Sequence, residues 1–319
     1  MQSILSQTLL SLCIGLACAV SAHGQARSQQ NAPSVSELNP DHIHHRMNHY
    51  GASSEAPTAG GTTSLTPIIN HGGGVMTGAP AIHLIWYGNW NQANGSDNAA
   101  GQQLVMDFMY GLNQSSYLSV NADYTGANTI GAPQQGAVAA LSSRKATRLA
   151  DADIKTIVTN YVNAHGGALS NAVYFVLTSS DVNETSGFCT KYCGWHTHGT
   201  INGVNVKYAF VGNANRCLSG CSAQTVSPNG NAGVDGMISV VGHELVETLS
   251  DPDLNAWYDS AGAENADKCA WTFGSAQTQQ PNGSYANMTL PTAGGGSRPY
   301  LVQRNLRTNN KCYITPTQQ

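Results

Sequence analysis

The sequence predicts an α+β protein: a single domain in which helices pack on a mixed β-sheet and disulfide bonds close the loops. Three observations favour this class. Short apolar segments typical of strands occur in the same chain as segments whose apolar residues repeat at helical spacing. Six cysteines follow residue 22, an even number typical of exported, disulfide-bonded domains. Charged residues make up only 10% of 319 residues and glycine contributes 34, as in secreted proteins with many loops.

The elements are predicted in the order strand, helix, helix, strand, strand, helix. The second helix has the clearest pattern, because its apolar residues recur one turn apart, Asp151 or Asp153 can cap it, and Gly166-Gly167 stops it. Trp195–Gly199 is assigned to a cysteine-bearing loop, and residues 255–319 to loops with short strands. The predicted strands are 81–87, 172–178 and 206–211, the last at an edge or half-buried position, and the other helices are 101–112 and 233–249.

The N-terminal region predicts export. Residues 1–22 contain an apolar stretch that ends in small residues, as in a secretory signal peptide. Residues 23–75 hold few apolar side chains and predict a flexible, low-complexity leader, so the folded domain is expected at 76–319. We therefore expect a secreted protein, extracellular or periplasmic, without a membrane span. The leader also contains a histidine-rich tract at His42, His44, His45 and His49 that could bind metal.

Composition and motifs argue against several functions. The net charge of −4 comes without the basic stripe that neutralises phosphates, so nucleic-acid binding has no support. There is no Gly-x-Ser-x-Gly nucleophile elbow and no glycine-rich phosphate loop between a strand and a helix.

The cysteines have two interpretations. Cys-x3-Cys occurs twice, which would suit a zinc site, but pairing into disulfides is favoured in an oxidising compartment. Six cysteines allow about fifteen pairings, and a bond from Cys269 to Cys312 would tie the C-terminal tail to the core. The cysteines concerned are Cys189, Cys193, Cys217, Cys221, Cys269 and Cys312.

The segment GHELVETLSDPD, residues 242–253, begins like the His-Glu-x-x-His helix of zinc peptidases but has glutamate in place of the second histidine. His243 and Glu247 lie one helical turn apart and could bind one ion. Glu244 is rotated by about 100° and could act as a general base on metal-bound water. The opposite side of the helix is apolar, so we expect the His243/Glu247 stripe at a cleft or in solvent.

A third ligand is predicted from nearby acids. Asp253 lies ten residues after His243, the offset at which metzincin-type peptidases place their last ligand, although Ser250 replaces the glycine of that motif. One histidine with several carboxylates predicts a divalent metal, with zinc favoured and Ca²⁺ or Mn²⁺ as alternatives. An amphipathic helix with acids on its solvated side is the alternative without metal. Other candidate ligands are Asp251, Glu264 and Asp267, together with His196 and His198 if these lie on a strand.

Several motifs recur in order along the chain: His83–Gly88, Phe188–Gly199, Tyr208–Asn213 with the Cys217/Cys221 pair, and Gly233–Met237. Over about residues 80–315 the sequence resembles the phosphate-induced protein/EXORDIUM-like family. The resemblance implies a secreted protein, since plant members are extracellular and associated with the cell wall. It is similar to the microbial type, whose motif string here runs from His243 to Cys269 and joins Glu264 and Asp267 to the helix.

Two functional hypotheses follow. The first is a secreted metal-dependent hydrolase, metallopeptidase-like with a metzincin-like layout, in which Glu244 activates water to cleave a peptide or cell-wall substrate. The alternative is a non-catalytic extracellular or cell-wall-associated EXORDIUM-like protein, in which the same cluster is a structural or vestigial metal site.

Overall fold

A computed structural model describes residues 66–113 and 115–318, which form one compact unit. The predicted signal peptide and the leader up to residue 65, with its histidine tract, lie outside the described residues. The α-helices are α1 (Ala99–Leu112), α2 (Asp151–Ala164), α3 (Leu218–Cys221) and α4 (Ala232–Ser250), and short 3₁₀ helices cover Leu118–Tyr124, Ala214–Arg216 and Asp267–Cys269.

The described residues also form strands of very different length, and five of the strands before α4 build the main sheet. The strands are β1 (Ile69–Asn70), β2 (Ala81–Tyr87), β3 (Pro133–Ala137), β4 (Arg148–Leu149), β5 (Ala172–Thr178), β6 (Asn183–Glu184), β7 (Gly194–Ile201), β8 (Val204–Gly212), β9 (Trp257–Tyr258), β10 (Thr278–Gln279), β11 (Tyr285–Ala286), β12 (Met288–Pro291), β13 (Ser297–Tyr300), β14 (Asn305–Leu306) and β15 (Cys312–Tyr313).

The main sheet has five strands in the order β3-β2-β5-β8-β7. The first four strands are parallel, and β7 runs antiparallel to β8. The prediction of a mixed sheet with packed helices in an α+β protein is confirmed. The six predicted elements are all present, with bounds that differ from the prediction by no more than a few residues.

Two details of the sheet differ from the prediction. The segment predicted as strand 206–211 was expected at an edge or half-buried position, but β8 lies inside the sheet between β5 and β7 and is buried from Val206 to Gly212. The edge next to β8 is formed by β7. From the sequence, Trp195–Gly199 of this strand was expected in a loop. This strand was not predicted, because a strand is recognised from alternating apolar and polar residues and β7 contains mostly polar ones.

The register of the strands decides which side chains of the sheet face which helix. Tyr174 lies on the face covered by α2, because its ring packs edge-on against Tyr161 of that helix. Side chains point alternately to the two faces of a strand, so Phe175 lies on the opposite face, the one that α4 covers. In register with Phe175 is Ala209, and Ala209 pairs with His196 on β7. His196 is thereby aimed at α4.

Helix α4 is buried along its length from Gly233 to Ser250, on its polar side as well as its apolar side. The expectation that the His243/Glu247 stripe would border a cleft or solvent is therefore wrong. The apolar side packs in the core, while β7 and the loop after β9 cover the polar side. Asn231 begins the helix by accepting a hydrogen bond from the Val234 backbone N–H at 3.1 Å.

The segment before the sheet packs on the loop after α4. Strand β1 pairs antiparallel with β9, with Ile69 opposite Tyr258, and the ring of His71 stacks on Tyr258 at 3.6 Å between centroids. The Met76 backbone N–H donates to the Leu249 carbonyl at 3.1 Å. Ile69, Asn70 and His71, which were expected in the leader, therefore take part in these contacts.

Three disulfide bonds join the described residues. Two of them, Cys189–Cys217 and Cys193–Cys221, connect the segment before β7 to the segment around α3. The third, Cys269–Cys312, ties the C-terminal segment to the loop that follows α4. The prediction of disulfides rather than zinc is confirmed, as is the Cys269–Cys312 pairing. In the part of the chain that the structure describes, we find no helix with the length and apolar character to cross a bilayer.

The approach of α4 to β7 predicts the effect of a small substitution. A Cβ at Gly194 would lie 2.6 Å from Val240 Cγ1 and 2.9 Å from the Phe210 carbonyl oxygen. Gly194→Ala should lower the free energy of unfolding by about 1–3 kcal/mol, because the overpacked helix must shift. Gly294→Ala is the control, since a Cβ there meets nothing within 4 Å, and it should change stability by less than about 0.5 kcal/mol. Equal thermal unfolding midpoints for both variants would contradict the close approach.

The third disulfide predicts a second stability effect. It closes a loop across 43 residues, for which the loss of loop-closure entropy in the unfolded chain is worth about 4 kcal/mol. The double variant Cys269→Ser/Cys312→Ser should lower the free energy of unfolding by about 2–5 kcal/mol in denaturant titrations. The reduced wild type is no substitute control, because reduction also opens the other two bonds. An unchanged midpoint would show that packing alone holds the tail.

Candidate metal centre

Helix α4 brings three ionisable side chains to the same buried region. His243, Glu244 and Glu247 have no measurable solvent exposure. His243 and Glu247 are one turn apart, and the His243 Nε2 to Glu247 Oε1 distance is 3.1 Å. Most of its other residues are apolar or glycine, which allows the helix to pass through the core. The predicted pairing of these two side chains is therefore present.

Strand β7 adds a second imidazole to this region. His196 is fully buried, and its Nε2 lies 3.0 Å from Glu264 Oε2 and 3.8 Å from Glu247 Oε2. His198 lies on the same face of β7, but its Nδ1 is 3.7 Å from Asp253 Oδ1 and its side chain is 19% exposed. Of the two histidines named as alternatives, the structure brings His196 to the cluster and leaves His198 beside Asp253.

The loop after β9 supplies two more carboxylates. Glu264 is buried, and its backbone N–H donates to Asp267 Oδ2 at 3.3 Å. The Asp267 backbone N–H donates to Glu247 Oε1 at 2.9 Å, and Asp267 Oδ1 lies 3.5 Å from His243 Nε2. The loop is thus joined to α4 both by its backbone and by its side chains.

A buried ion pair fixes this loop. Lys268 Nζ lies 2.7 Å from Asp259 Oδ2, and both side chains are fully buried. The same lysine donates to the Thr66 carbonyl at 2.6 Å, and the Thr66 hydroxyl donates to Asp259 Oδ2 at 2.7 Å. Asp259 Oδ1 accepts the backbone N–H groups of Ala261 and Ala263, each at 2.9 Å. Glu264 and Asp267 therefore sit on a loop that is held at both ends.

Two groups of side chains have the spacing of metal ligands. One consists of His243, Glu247 and Asp267, and the other of His196, Glu244 and Glu247. Within each group, one donor atom from each residue lies within 4.8 Å of the others. Glu247 belongs to both groups. Two ligands on one zinc-sized ion are separated by about 3–4 Å, given metal–ligand bonds of about 2 Å, so the distances between these side chains fit an ion.

The electrostatics of the cluster show strong coupling among its members. Burial by itself lowers the pKa of His243, but the charge of Glu247 and the contact with Asp267 outweigh burial and raise this pKa well above its ordinary value. Burial raises the pKa of Glu247, and of its neighbours His243 opposes this rise while Asp267 adds to it. Neighbouring carboxylates therefore favour the protonated imidazole of His243, and burial favours the protonated carboxyl of Glu247.

Hydrogen bonding gives a separate test of whether a metal fits. Among the described residues, Glu247 Oε2 makes no hydrogen bond, and His243 Nε2 faces carboxylate oxygens at 3.1 and 3.5 Å, although both side chains are fully buried. Buried polar atoms almost always have a partner, because desolvation without one is costly. The set of imidazole nitrogen and carboxylate oxygens also suits zinc or manganese. These residues fit a divalent ion.

Two other predicted ligands have different roles. Asp253 lies outside both groups; its Oδ1 is 3.2 Å from Lys207 Nζ and accepts from Asn205 Nδ2 at 2.9 Å. Helix α4 ends at Ser250, and the turn that follows directs Asp253 to the β7–β8 hairpin.

Asp251 is buried beside the cluster but serves the turn. Its Oδ1 accepts the backbone N–H groups of Asn255 and Ala256, at 2.7 and 2.6 Å. Burial, followed by the charge of Glu264, raises the pKa of Asp251 to about 7. The backbone holds this carboxyl at the end of α4, and its raised pKa reduces the charge it adds to the region.

The main omission from the predicted ligand set is His196, which was named only as an alternative. Its chemistry was visible in the sequence, but its position was not, because residues 194–201 did not show a strand pattern. The Gly-Trp-His-Thr-His-Gly run does place His196 and His198 two residues apart, the spacing of one strand face. Such a pair between glycines is the signal that could have identified the strand.

Fold and site together define the class of this protein: a disulfide-bonded α+β domain with a buried histidine–carboxylate cluster between a central helix and the edge strand of its sheet. The chain belongs to the family defined by the phosphate-induced protein 1 conserved region, whose model matches residues 68–304. The matched segment includes every residue of the cluster and begins just before β1.

Curated relatives agree with this family. Protein EXORDIUM-like 3 of Arabidopsis thaliana is 29% identical over 288 residues, covering 76% of this chain and 81% of the relative. Protein EXORDIUM-like 5 of the same plant is 28% identical over 303 residues, covering 80% of this chain and 79% of the relative. Protein PHOSPHATE-INDUCED 1 of Nicotiana tabacum is 26% identical over 238 residues, covering 64% and 72%. The family resemblance found in the sequence is confirmed.

The buried ion pair generates a stability prediction. Asp259→Asn should lower the free energy of unfolding by about 3–5 kcal/mol, because it leaves Lys268 buried without its counter-charge. Burial raises the pKa of Asp259, but its bonds from Lys268 and Thr66 outweigh burial and hold it below its ordinary 3.8. The stabilisation that ionised Asp259 gives the folded state is therefore fully present above pH 3.8, and it is lost as pH falls through the lower pKa of the folded state. Denaturant titrations of both proteins across this range measure it.

The control removes both charges together. Asp259→Leu/Lys268→Met should be less destabilised than Asp259→Asn, because no isolated charge remains in the interior. A double variant as unstable as the sum of its single substitutions would contradict the coupling of the two side chains.

Proposed function

We propose that this chain is a secreted, extracellular EXORDIUM-like protein of the microbial type in which a divalent metal ion has a structural role. His243 and Glu247 of α4 and Asp267 of the following loop would hold the ion. Its donor set favours zinc, with Mn²⁺ or Ca²⁺ as alternatives. Bound there, the ion would join the helix directly to the loop that carries Asp267.

The observation that carries this proposal is the burial of the cluster. His243, Glu244 and Glu247 have no exposed surface, and Glu264 is only 1% exposed. A hydrolytic metal needs an open coordination position that water and substrate can reach, whereas structural sites are closed by protein. The burial therefore supports a structural centre.

The coupling of the cluster indicates what the ion would contribute. Metal binding displaces protons from its ligands; nearby carboxylates raise the pKa of His243, and burial raises the pKa of Glu247. An ion bound to the folded chain alone stabilises it by mass action. The effect would be greatest on the loop after β9, because Asp267 belongs to that loop.

Location outside the cell is part of the same proposal. Three disulfide bonds support it, since such bonds persist in oxidising compartments. The association of plant family members with the cell wall suggests that wall material is the surface this protein meets. Nucleic acid remains outside the proposal, given the net charge of −4.

A second candidate is a metal-dependent hydrolase, metallopeptidase-like, acting on a peptide or cell-wall substrate. It is favoured by the position of Glu244, whose carboxylate belongs to the group with His196 and Glu247, within 4.8 Å. In this candidate Glu244 would hold and move the proton of the attacking water. The metzincin-like layout belongs here, supported by a central helix that places His243 and Glu247 against a mixed sheet with one antiparallel edge strand. This function would require movement of the covering loop.

Metal analysis of the purified chain tests the proposal. The wild type should retain at least about one equivalent of divalent metal after dialysis, and His243→Ala should lose that equivalent with a lower unfolding midpoint. Glu244→Gln keeps the shape of its side chain and separates the candidates. Under the structural proposal, Glu244→Gln leaves this equivalent bound; under the hydrolase candidate, it abolishes peptide or glycan hydrolysis that the wild type performs.

Asp253→Asn is the matched control, since it lies in the same motif but outside both groups. It should retain the metal of the wild type, whereas a metzincin-type set with Asp253 as third ligand requires loss. A wild type without metal would overturn both candidates.

A further inference from the structure

The carboxylate of Glu247 lies between two imidazoles. Its Oε1 is 3.1 Å from His243 Nε2, and its Oε2 is 3.8 Å from His196 Nε2. The two oxygens thus face histidines from different elements, one on α4 and one on β7. A carboxylate that offers one oxygen to each of two nitrogen donors has the arrangement of a bridging ligand.

Each oxygen of Glu247 has its own set of further donors. On the side of His243, Asp267 Oδ1 lies 3.5 Å from the imidazole Nε2. On the side of His196, Glu264 Oε2 lies 3.0 Å from the imidazole Nε2, and Glu244 completes the second group within 4.8 Å. The side chains therefore fall into two sets that share only Glu247.

We propose that this interior is a two-ion centre bridged by Glu247. His243 and Asp267 would complete the first site, and the second would be formed by His196 with Glu244 and Glu264. This inference rests on the proposed metal site and adds a second ion to it. Metal bonds of about 2.0–2.2 Å separate two ligands of one ion by about 3–4 Å, the range of the nitrogen-to-oxygen distances in both sets.

Charge supports two ions rather than one. Glu244, Glu247, Glu264 and Asp267 carry four negative charges when ionised, and the first three are at most 1% exposed. A single divalent ion would balance half of this charge. Unbalanced charge in a protein interior is strongly unfavourable. Two divalent ions balance the four carboxylates, with both imidazoles neutral as metal ligands.

An independent observation comes from Glu247 Oε2. This oxygen has no hydrogen bond among the described residues, although the side chain is fully buried. An ion at the first site alone would engage Oε1, which faces His243 and also accepts the Asp267 backbone N–H at 2.9 Å. A cation on the side of His196 would give Oε2 a direct partner in place of the 3.8 Å contact with the imidazole.

The inference changes the role of Glu244. In the hydrolase candidate this side chain stays off the metal, whereas in a two-ion centre it is a ligand of the second ion. Carboxylate-rich sites with one imidazole per ion suit zinc and manganese, and two such ions in one protein site lie about 3.5–4 Å apart. Zn²⁺ and Mn²⁺ are therefore the probes.

The test counts ions in the full chain. Metal-free wild type, prepared with a chelator, should bind two equivalents of Zn²⁺ in a calorimetric titration. Loaded with Mn²⁺, it should give the electron paramagnetic resonance spectrum of an exchange-coupled pair. His196→Ala should bind one equivalent and give the spectrum of isolated ions. Glu264→Gln keeps the shape of the side chain, so it should also lose the second ion even if His196→Ala fails to fold.

His198→Ala is the matched control, because His198 lies on the same face of β7 but pairs with Asp253. It should retain two equivalents and the coupled spectrum. One equivalent in the wild type, unchanged in Glu264→Gln, would overturn the second ion while leaving the proposed structural metal intact. Two equivalents without exchange coupling would overturn the bridge, and a wild type that binds no metal would overturn both proposals.

Discussion

The contact between helix α4 and the edge strand β7 organises the second half of this chain, because ionisable side chains of both elements meet there away from water. His243, Glu244 and Glu247 on the helix face His196 on the strand. Like charges in an interior repel strongly unless protons or cations separate them. The surrounding structure has to hold these groups together against that repulsion, and its disulfides, buried ion pair and capped turns all lie around this contact.

The loop after β9 shows how this is done. It approaches α4 through the backbone of Asp267, its base is fixed by Lys268 and Asp259, and Cys269 binds it covalently to the tail. Asp251 closes the end of the helix by accepting two backbone N–H groups. These contacts are hydrogen bonds, an ion pair and a disulfide, each between defined atoms. The loop is therefore positioned by directional bonds more than by apolar packing. Directional bonds fix the distances between ligand atoms more strictly than apolar contacts do.

Much of the fold could be predicted from the sequence because its central strands and helices carry strong local patterns. Strand 172–178 was predicted with the bounds that the structure shows, and the glycines after α2 end the helix where expected. Strand β7 could not be recognised in this way, since its side chains are polar and its burial comes from elements distant in sequence.

The site residues also divide into those that local sequence spacing predicts and those that depend on contacts between distant segments. His243 and Glu247 are neighbours through helix geometry alone, so their spacing was sufficient to predict the pair. His196 and Glu264 depend on how the sheet and the loop pack, which local spacing does not encode. Asp253 shows the opposite error: its offset from His243 matched a known motif, but the chain turns at the end of α4 and carries it to Lys207. The covered side of α4 was mistaken for an open one because a polar stripe normally faces water.

The hydrogen bond from Thr66 to Asp259 joins residues 193 positions apart in the chain. Contacts of such long sequence separation form late, because the intervening chain must first lose its freedom. Thr66, which anchors the loop, precedes Asp259 by 193 residues, and Cys312, which seals the same loop, follows Cys269 by 43. Because Cys312 follows every side chain of the cluster in the sequence, the loop is fully tethered only after all of those side chains have been synthesised.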